Sequence, residues 1–100
     1  MTTSSPPFAS LVVALTDAQV KVRKTAIRQL QLCYGMQSFG PLQQALQDKR
    51  ASVRLEAVRA FHQMHDPRAI PVLLPLLTDR SKQVRSALTK TLVHFQDPHL

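Results

Sequence analysis

Hydrophobic positions recur along this chain at a constant interval of 31 residues, with no insertion to break the spacing. Phe8, Leu11 and Leu15 stand in register with Phe39, Leu42 and Leu46, and again with Ile70, Leu73 and Leu77. Apolar residues at i, i+3 and i+7 mark one face of a helix. A second apolar set follows each of these: Val22, Ala26, Leu30 and Cys33; Val53, Ala57, Phe61 and Met64; Val84, Leu88, Leu92 and Phe95. The pattern therefore predicts a pair of helices, A and B, three times over. Polar residues fill the intervals, and an aspartate (Asp17, Asp48, Asp79) separates A from B in each copy.

The first helix A starts at Phe8, behind Pro6 and Pro7, and the first helix B covers about 19–34. Gly35 ends it, because a helix C-terminus often needs the left-handed backbone that glycine adopts freely. In the second copy A spans about 38–47 and B runs to about 65; in the third they span about 67–78 and 81–96. Asp66-Pro67 and Asp97-Pro98 mark the ends of copies two and three, with proline tolerated in a first helical turn. Pro75 lies inside the third helix A and predicts a kink there, since it removes a backbone donor. A fixed period between 20 and 50 residues is the signature of a stacked repeat, and three copies suffice for a stable stack. The expected fold is all-α: an α-α superhelix, or α-solenoid, of three two-helix repeats at about 8–35, 36–66 and 67–97. They form one domain over 8–100, behind a flexible tail at 1–7.

The order Asp, short gap, Val-Arg, Ala and Leu resembles the HEAT-like repeats of bacterial and cyanobacterial proteins, including those in phycobilin lyases. The resemblance runs from Phe8 to Gln96. It implies that helices A line the convex side of a solenoid and helices B the concave side. It also implies that Asp17, Asp48 and Asp79, with Arg23, Arg54 and Arg85, form a ladder tying neighbouring repeats. From the residues alone, each aspartate can accept bonds from the free amides opening helix B. Each arginine, six positions on, is within reach of its own aspartate or that of the adjacent repeat.

Composition narrows the function. The length and a hydrophobic content of 44% allow one modest core. No apolar run approaches the roughly 18 residues needed to cross a membrane, and Met1 to Pro7 has neither the charge nor the apolar stretch of a secretory signal. Those readings, with a single cysteine and hence no internal disulfide, point to a soluble cytoplasmic protein. Cys33 shares its register with Met64 and Phe95 and reads as a small core hydrophobe.

Thirteen Lys and Arg against six acids leave a formal charge of +7, which favours acidic partners. At roughly 100° per residue, Lys21, Lys24, Arg28 and Gln31 fall opposite the apolar side of their helix. The repeat equivalents of Arg28 are Arg59 and Lys90, so the chain predicts a cationic column with few acids to interrupt it. Lys21, Lys24, Arg28, Arg59, His62 and Lys90 are the candidate partner-binding residues. Five of the six acids have structural duties in turns, and only Glu56 is left over.

Catalysis has little to work with. No second carboxylate is available to pair with Glu56, and neither a phosphate-binding glycine loop nor an activated serine or threonine is present. His62 and His65, at i and i+3, can reach one metal, but zinc needs a third or fourth ligand. The paired His-Glu dipeptides of HEAT-like protein hydroxylases are missing, since Gln63 follows His62 and Phe95 follows His94. No metal and no cofactor are expected. The principal expectation is a non-enzymatic interaction scaffold that binds an acidic protein through the B helices.

One alternative is a phycobilin lyase-related or phycobilisome-associated factor, with Arg59 and His62 as the local cluster for a bilin's propionates. Another is weak, nonspecific nucleic-acid binding, since clustered cations suffice for it. For that role Phe8, Phe39, Phe61 and Phe95 are committed to core positions, leaving Tyr34 as a candidate stacking ring. At the ends, Ile27, Val58 and Thr89, and likewise Val20, Ala51 and Lys82, turn polar in the third repeat as a cap would. Val12 and Val13 replace Gln43 and Gln44 of the second repeat, so the N-terminal end is a candidate for self-association.

Overall fold

The computed structural model describes residues 5–96. Within them six α-helices follow in order: α1 (Phe8–Ala14), α2 (Val20–Tyr34), α3 (Phe39–Ala45), α4 (Ala51–Met64), α5 (Ile70–Leu73) and α6 (Lys82–Gln96). No strand occurs among the described residues. α2, α4 and α6 are the B helices; α4 packs on both of its neighbours, while α1 packs on α2 and α3 on α4. The result is a two-layered α-solenoid with extents of 41 × 31 × 18 Å.

The helix ends follow from local chemistry. α2 stops where Gly35 takes φ 50°, a region other residues rarely enter. A 3-10 turn over Gly35–Ser38 then leads into α3, and the buried Ser38 hydroxyl donates to the Gly35 carbonyl. α4 ends at His65, also left-handed at φ 56°. Asp66 then accepts from the Arg68 amide, with Pro67 in the first turn of a short 3-10 segment. The third A segment is broken as its prolines require: α5 has four residues, and Leu74–Thr78, containing Pro75, is wound as 3-10 helix. Asp97 and Pro98 lie outside the described residues, as does Met1 to Ser4 of the expected tail. Pro6 is held, because the Tyr34 hydroxyl donates to its carbonyl.

The core runs through all three repeats without a gap: Leu11, Ile27 and Leu30, then Leu42, Val53, Ala57 and Phe61, then Leu73, Val84 and Leu88. Phe61 is wholly buried and meets Phe39 edge to face at 5.1 Å. Phe8, Phe39 and Phe95 are partly buried against the same core. In the 27/58/89 register Ile27 and Val58 are buried and Thr89 is exposed, its hydroxyl turned back to the Arg85 carbonyl.

Cys33 departs from expectation: it is exposed, not a core residue. The inward side of α2 is centred on Arg23, Ala26, Ile27 and Leu30. At about 100° per residue, Cys33 lies some 120° around the helix from Ile27, beyond the edge of that stripe. Met64 and Phe95, its equivalents, are also only half-buried.

Truncating Phe61 to alanine is expected to cost about 3–5 kcal/mol of stability. Truncating Leu32, which is 78% exposed, should change stability by less than about 0.5 kcal/mol. Urea unfolding of the two variants checks both values.

Candidate functional site

The arginine–aspartate ladder is built on the A–B turns. Arg23 is 4% exposed and fully engaged: its Nε and Nη2 donate to the two carboxylate oxygens of Asp48 at 2.8 and 3.2 Å. Its Nη1 donates backwards to the carbonyls of Asp17 and Ala18. Arg54 repeats the geometry, with Asp79 ahead at 2.8 and 2.9 Å and the Asp48 carbonyl behind. Arg85 donates to the Asp79 carbonyl. In each turn the aspartate also accepts an amide two residues on, from Gln19, Arg50 or Ser81. Burial pushes the Asp48 carboxyl up, but the bonds from Arg23 and the Arg50 amide, with the neighbouring charges, outweigh it and hold the group below its ordinary range. The bond from Arg54 does the same for Asp79 against burial.

The candidate partner-binding residues do not form one continuous column. Arg28 donates from Nε and Nη2 to both carboxylate oxygens of Glu56, at 3.2 and 2.9 Å. Glu56 is only 7% exposed. The expectation that almost no acid interrupts the cationic face is thus corrected: Glu56 sits in the groove between α2 and α4 and occupies Arg28. Arg59 stands off from the same carboxylate at 3.6 Å and is exposed. Lys21 lies elsewhere, in a groove between α1 and α2 with Leu11 and Gln29, and Lys24 is half-buried. The structure does bring Arg59, His62 and Lys90 together, in a groove of about 660 Å³ between α4 and α6. Its walls include Leu55, Ala87 and Thr91, and no acidic residue lines it.

A three-histidine cluster adjoins this groove. His62 and His94 stack at 4.3 Å with an interplanar angle of 16°, and His94 Nε2 lies 3.0 Å from His65 Nδ1. His62 Nδ1 is 2.9 Å from the Thr91 hydroxyl. That hydroxyl donates its one proton to the Ala87 carbonyl, so His62 carries its proton on Nδ1 and donates to Thr91. Burial pushes the His62 pKa down, and the charges of His94 and His65 push it further. No group of three ligating side chains among the described residues is arranged to hold a metal ion. Sequence periodicity gave only the i, i+3 pair; His94 joins it from the next repeat.

Tyr34 is not a stacking platform. Its ring packs edge to face on Phe8 at 5.2 Å, and its hydroxyl is engaged by Pro6. Of the N-terminal valines, Val12 packs on the core and Val13 is exposed. No helix among the described residues is long and apolar enough to cross a membrane. A family model described as HEAT repeats matches residues 8–97. No curated protein matches the chain.

Replacing Arg23 by glutamine leaves the Asp48 carboxylate uncompensated beneath the turn and should cost about 3 kcal/mol. Arg68→Gln, on an exposed pair, should leave the unfolding midpoint unchanged.

Acid should act in two stages. His62 has a folded pKa below the unfolded value of about 6.5. As pH falls below that value the unfolded chain takes up its proton first, and stability declines until His62 charges in the folded state. Asp48 and Asp79, also depressed when folded, contribute stability above about pH 4 that is lost as pH falls through their folded pKa values. Melting temperature recorded from pH 8 to pH 3 should show both declines, and His62→Gln should remove the first.

Proposed function

The chain belongs to the HEAT-repeat family, and from that premise we propose that it is a non-enzymatic scaffold whose B-helix face binds an acidic protein. HEAT repeats mediate protein–protein interaction, and the surface chemistry here supports a negatively charged partner. The observation that carries the reading is the α4–α6 groove, where Arg59, Lys90 and His62 converge without an acid. Positive charge concentrated between two helices speeds encounter with an acidic surface and selects against basic ones.

The absence of catalysis belongs to the same proposal. Asp48, Asp79, Asp66 and Glu56 each hold an arginine, and Asp17 caps a turn, so these carboxylates are committed to structure. The exposed thiol of Cys33 suits a reducing cytoplasm. Nucleic-acid binding draws less support, because the engagement of Tyr34 removes the candidate stacking ring. A bilin-handling role draws on Arg59 and His62 lining one groove, yet that groove is a solvent-open trough, and a tetrapyrrole carrier needs enclosing walls.

The test is capture of a partner from the source cell, followed by measurement with the purified partner. Arg59→Glu with Lys90→Glu should weaken binding by tenfold or more, while Lys21→Glu, in the α1–α2 groove, should change it little. Unchanged binding in the double variant contradicts this reading.

A further inference from the structure

The two grooves between B helices are repeat equivalents, and they differ at one decisive position. In the α2–α4 groove, Arg28 from one helix grips Glu56 from the next with two hydrogen bonds. One repeat later the arginine is Arg59, and the position of Glu56 is taken by Ala87. The second groove therefore keeps the donor and lacks the acceptor. It is also the roomier of the two, at about 660 Å³ against about 380 Å³ for the groove that Glu56 lines.

Charge points the same way. Arg28, Arg59 and Glu56 together carry one net positive charge, and Lys90 adds a second on the opposite wall. Among the described residues Lys90 has no carboxylate partner, and Arg59 has only the 3.6 Å approach to a carboxylate already held by Arg28. Leu55 and Ala87 supply apolar lining to the same groove. Beside apolar lining a charge-assisted bond is less weakened by water than on an open surface.

We propose that the α4–α6 groove receives a glutamate or aspartate side chain from an acidic peptide segment of a partner protein. It is held by Arg59 and Lys90 in the place that Glu56 fills one repeat earlier. The fold itself supplies the precedent, since a carboxylate side chain is already accommodated at the equivalent site. A peptide is favoured over a polynucleotide because the groove presents no Phe, Tyr or Trp ring for a base to stack upon, and the one ring that lines it, the His62 imidazole, is already stacked on His94. This inference rests on the protein-binding reading and gives it a specific contact.

The probe is a blocked hexaglutamate peptide titrated into the ¹⁵N-labelled protein at low ionic strength, with hexaglutamine as the neutral control and hexathymidylate as the nucleic-acid arm. Hexaglutamate should shift resonances of Arg59, Ala87 and Lys90, and hexaglutamine none of them. Ala87→Glu supplies the carboxylate internally and should weaken hexaglutamate binding by about tenfold or more, as should the surface change Lys90→Gln should the first variant fold poorly. Glu56→Ala vacates the first groove and should add a second set of shifts around Arg28.

Unchanged affinity in folded Ala87→Glu or in Lys90→Gln overturns the proposal. So do shifts centred outside the groove, or tighter binding of hexathymidylate there. If hexaglutamate maps to the groove while Arg59→Glu with Lys90→Glu still binds the native partner, the groove stands and the partner-binding reading falls. If the double variant loses the partner but hexaglutamate does not bind the groove, the reverse holds.

Discussion

Each repeat is joined to the next by an arginine that reaches in two directions. Arg23 and Arg54 clamp the turn of their own repeat through its carbonyl and the following turn through its carboxylate. An apolar stack alone would tolerate sliding or rotation of one helix pair over another, since hydrophobic contact is non-directional. A planar guanidinium bound to both oxygens of a carboxylate does not. The ladder thereby sets the lateral register in which α2, α4 and α6 lie side by side, and the grooves between them inherit their shape from it. Arg23 is buried and Asp48, Arg54 and Asp79 are half-buried, and each of the four is paired with its opposite charge, the condition under which charge withdrawn from water is tolerated.

Against this regular frame, departures from repetition stand out as chemistry. Glu56 has Thr25 and Ala87 as its repeat equivalents, so it belongs to no structural pattern, yet it places a carboxylate in one inter-helix groove and leaves the next without one. His62, His65 and His94 form a second departure, placed at the same end of the open groove. Burial and the charges of its two neighbours favour the neutral state of His62, so acid adds positive charge beside Arg59 and Lys90 while weakening the fold.

Much of this was legible in the chain. The solenoid and the helix pairs could be read because each is written three times, and the resemblance to HEAT-like repeats named the ladder residues; Pro75 signalled a kink, where the segment is in fact broken into one short α-helix between two 3-10 turns. What escaped the reading depends on lateral contacts that periodicity does not encode. Whether Arg28 is free or bound turns on the side chain opposite it in the next helix. Glu56 looked like a spare acid for that reason. Cys33 looked buried because a shared register was taken as a shared environment, although its position lies past the edge of the inward stripe. Tyr34 looked available as a ring, but the short segment before α1 folds against it.

The central claim is that Arg28 is hydrogen-bonded to a carboxylate and Arg59, at 3.6 Å from the same group, is not. Proton exchange of the arginine Nε–H groups, read by side-chain NMR at low pH and low temperature, measures this directly. Arg23, Arg54 and Arg28 should exchange slowly, and Arg59 should exchange at the rate of a solvated guanidinium until a carboxylate ligand is added. Equal protection of Arg28 and Arg59 in the free protein would contradict the account.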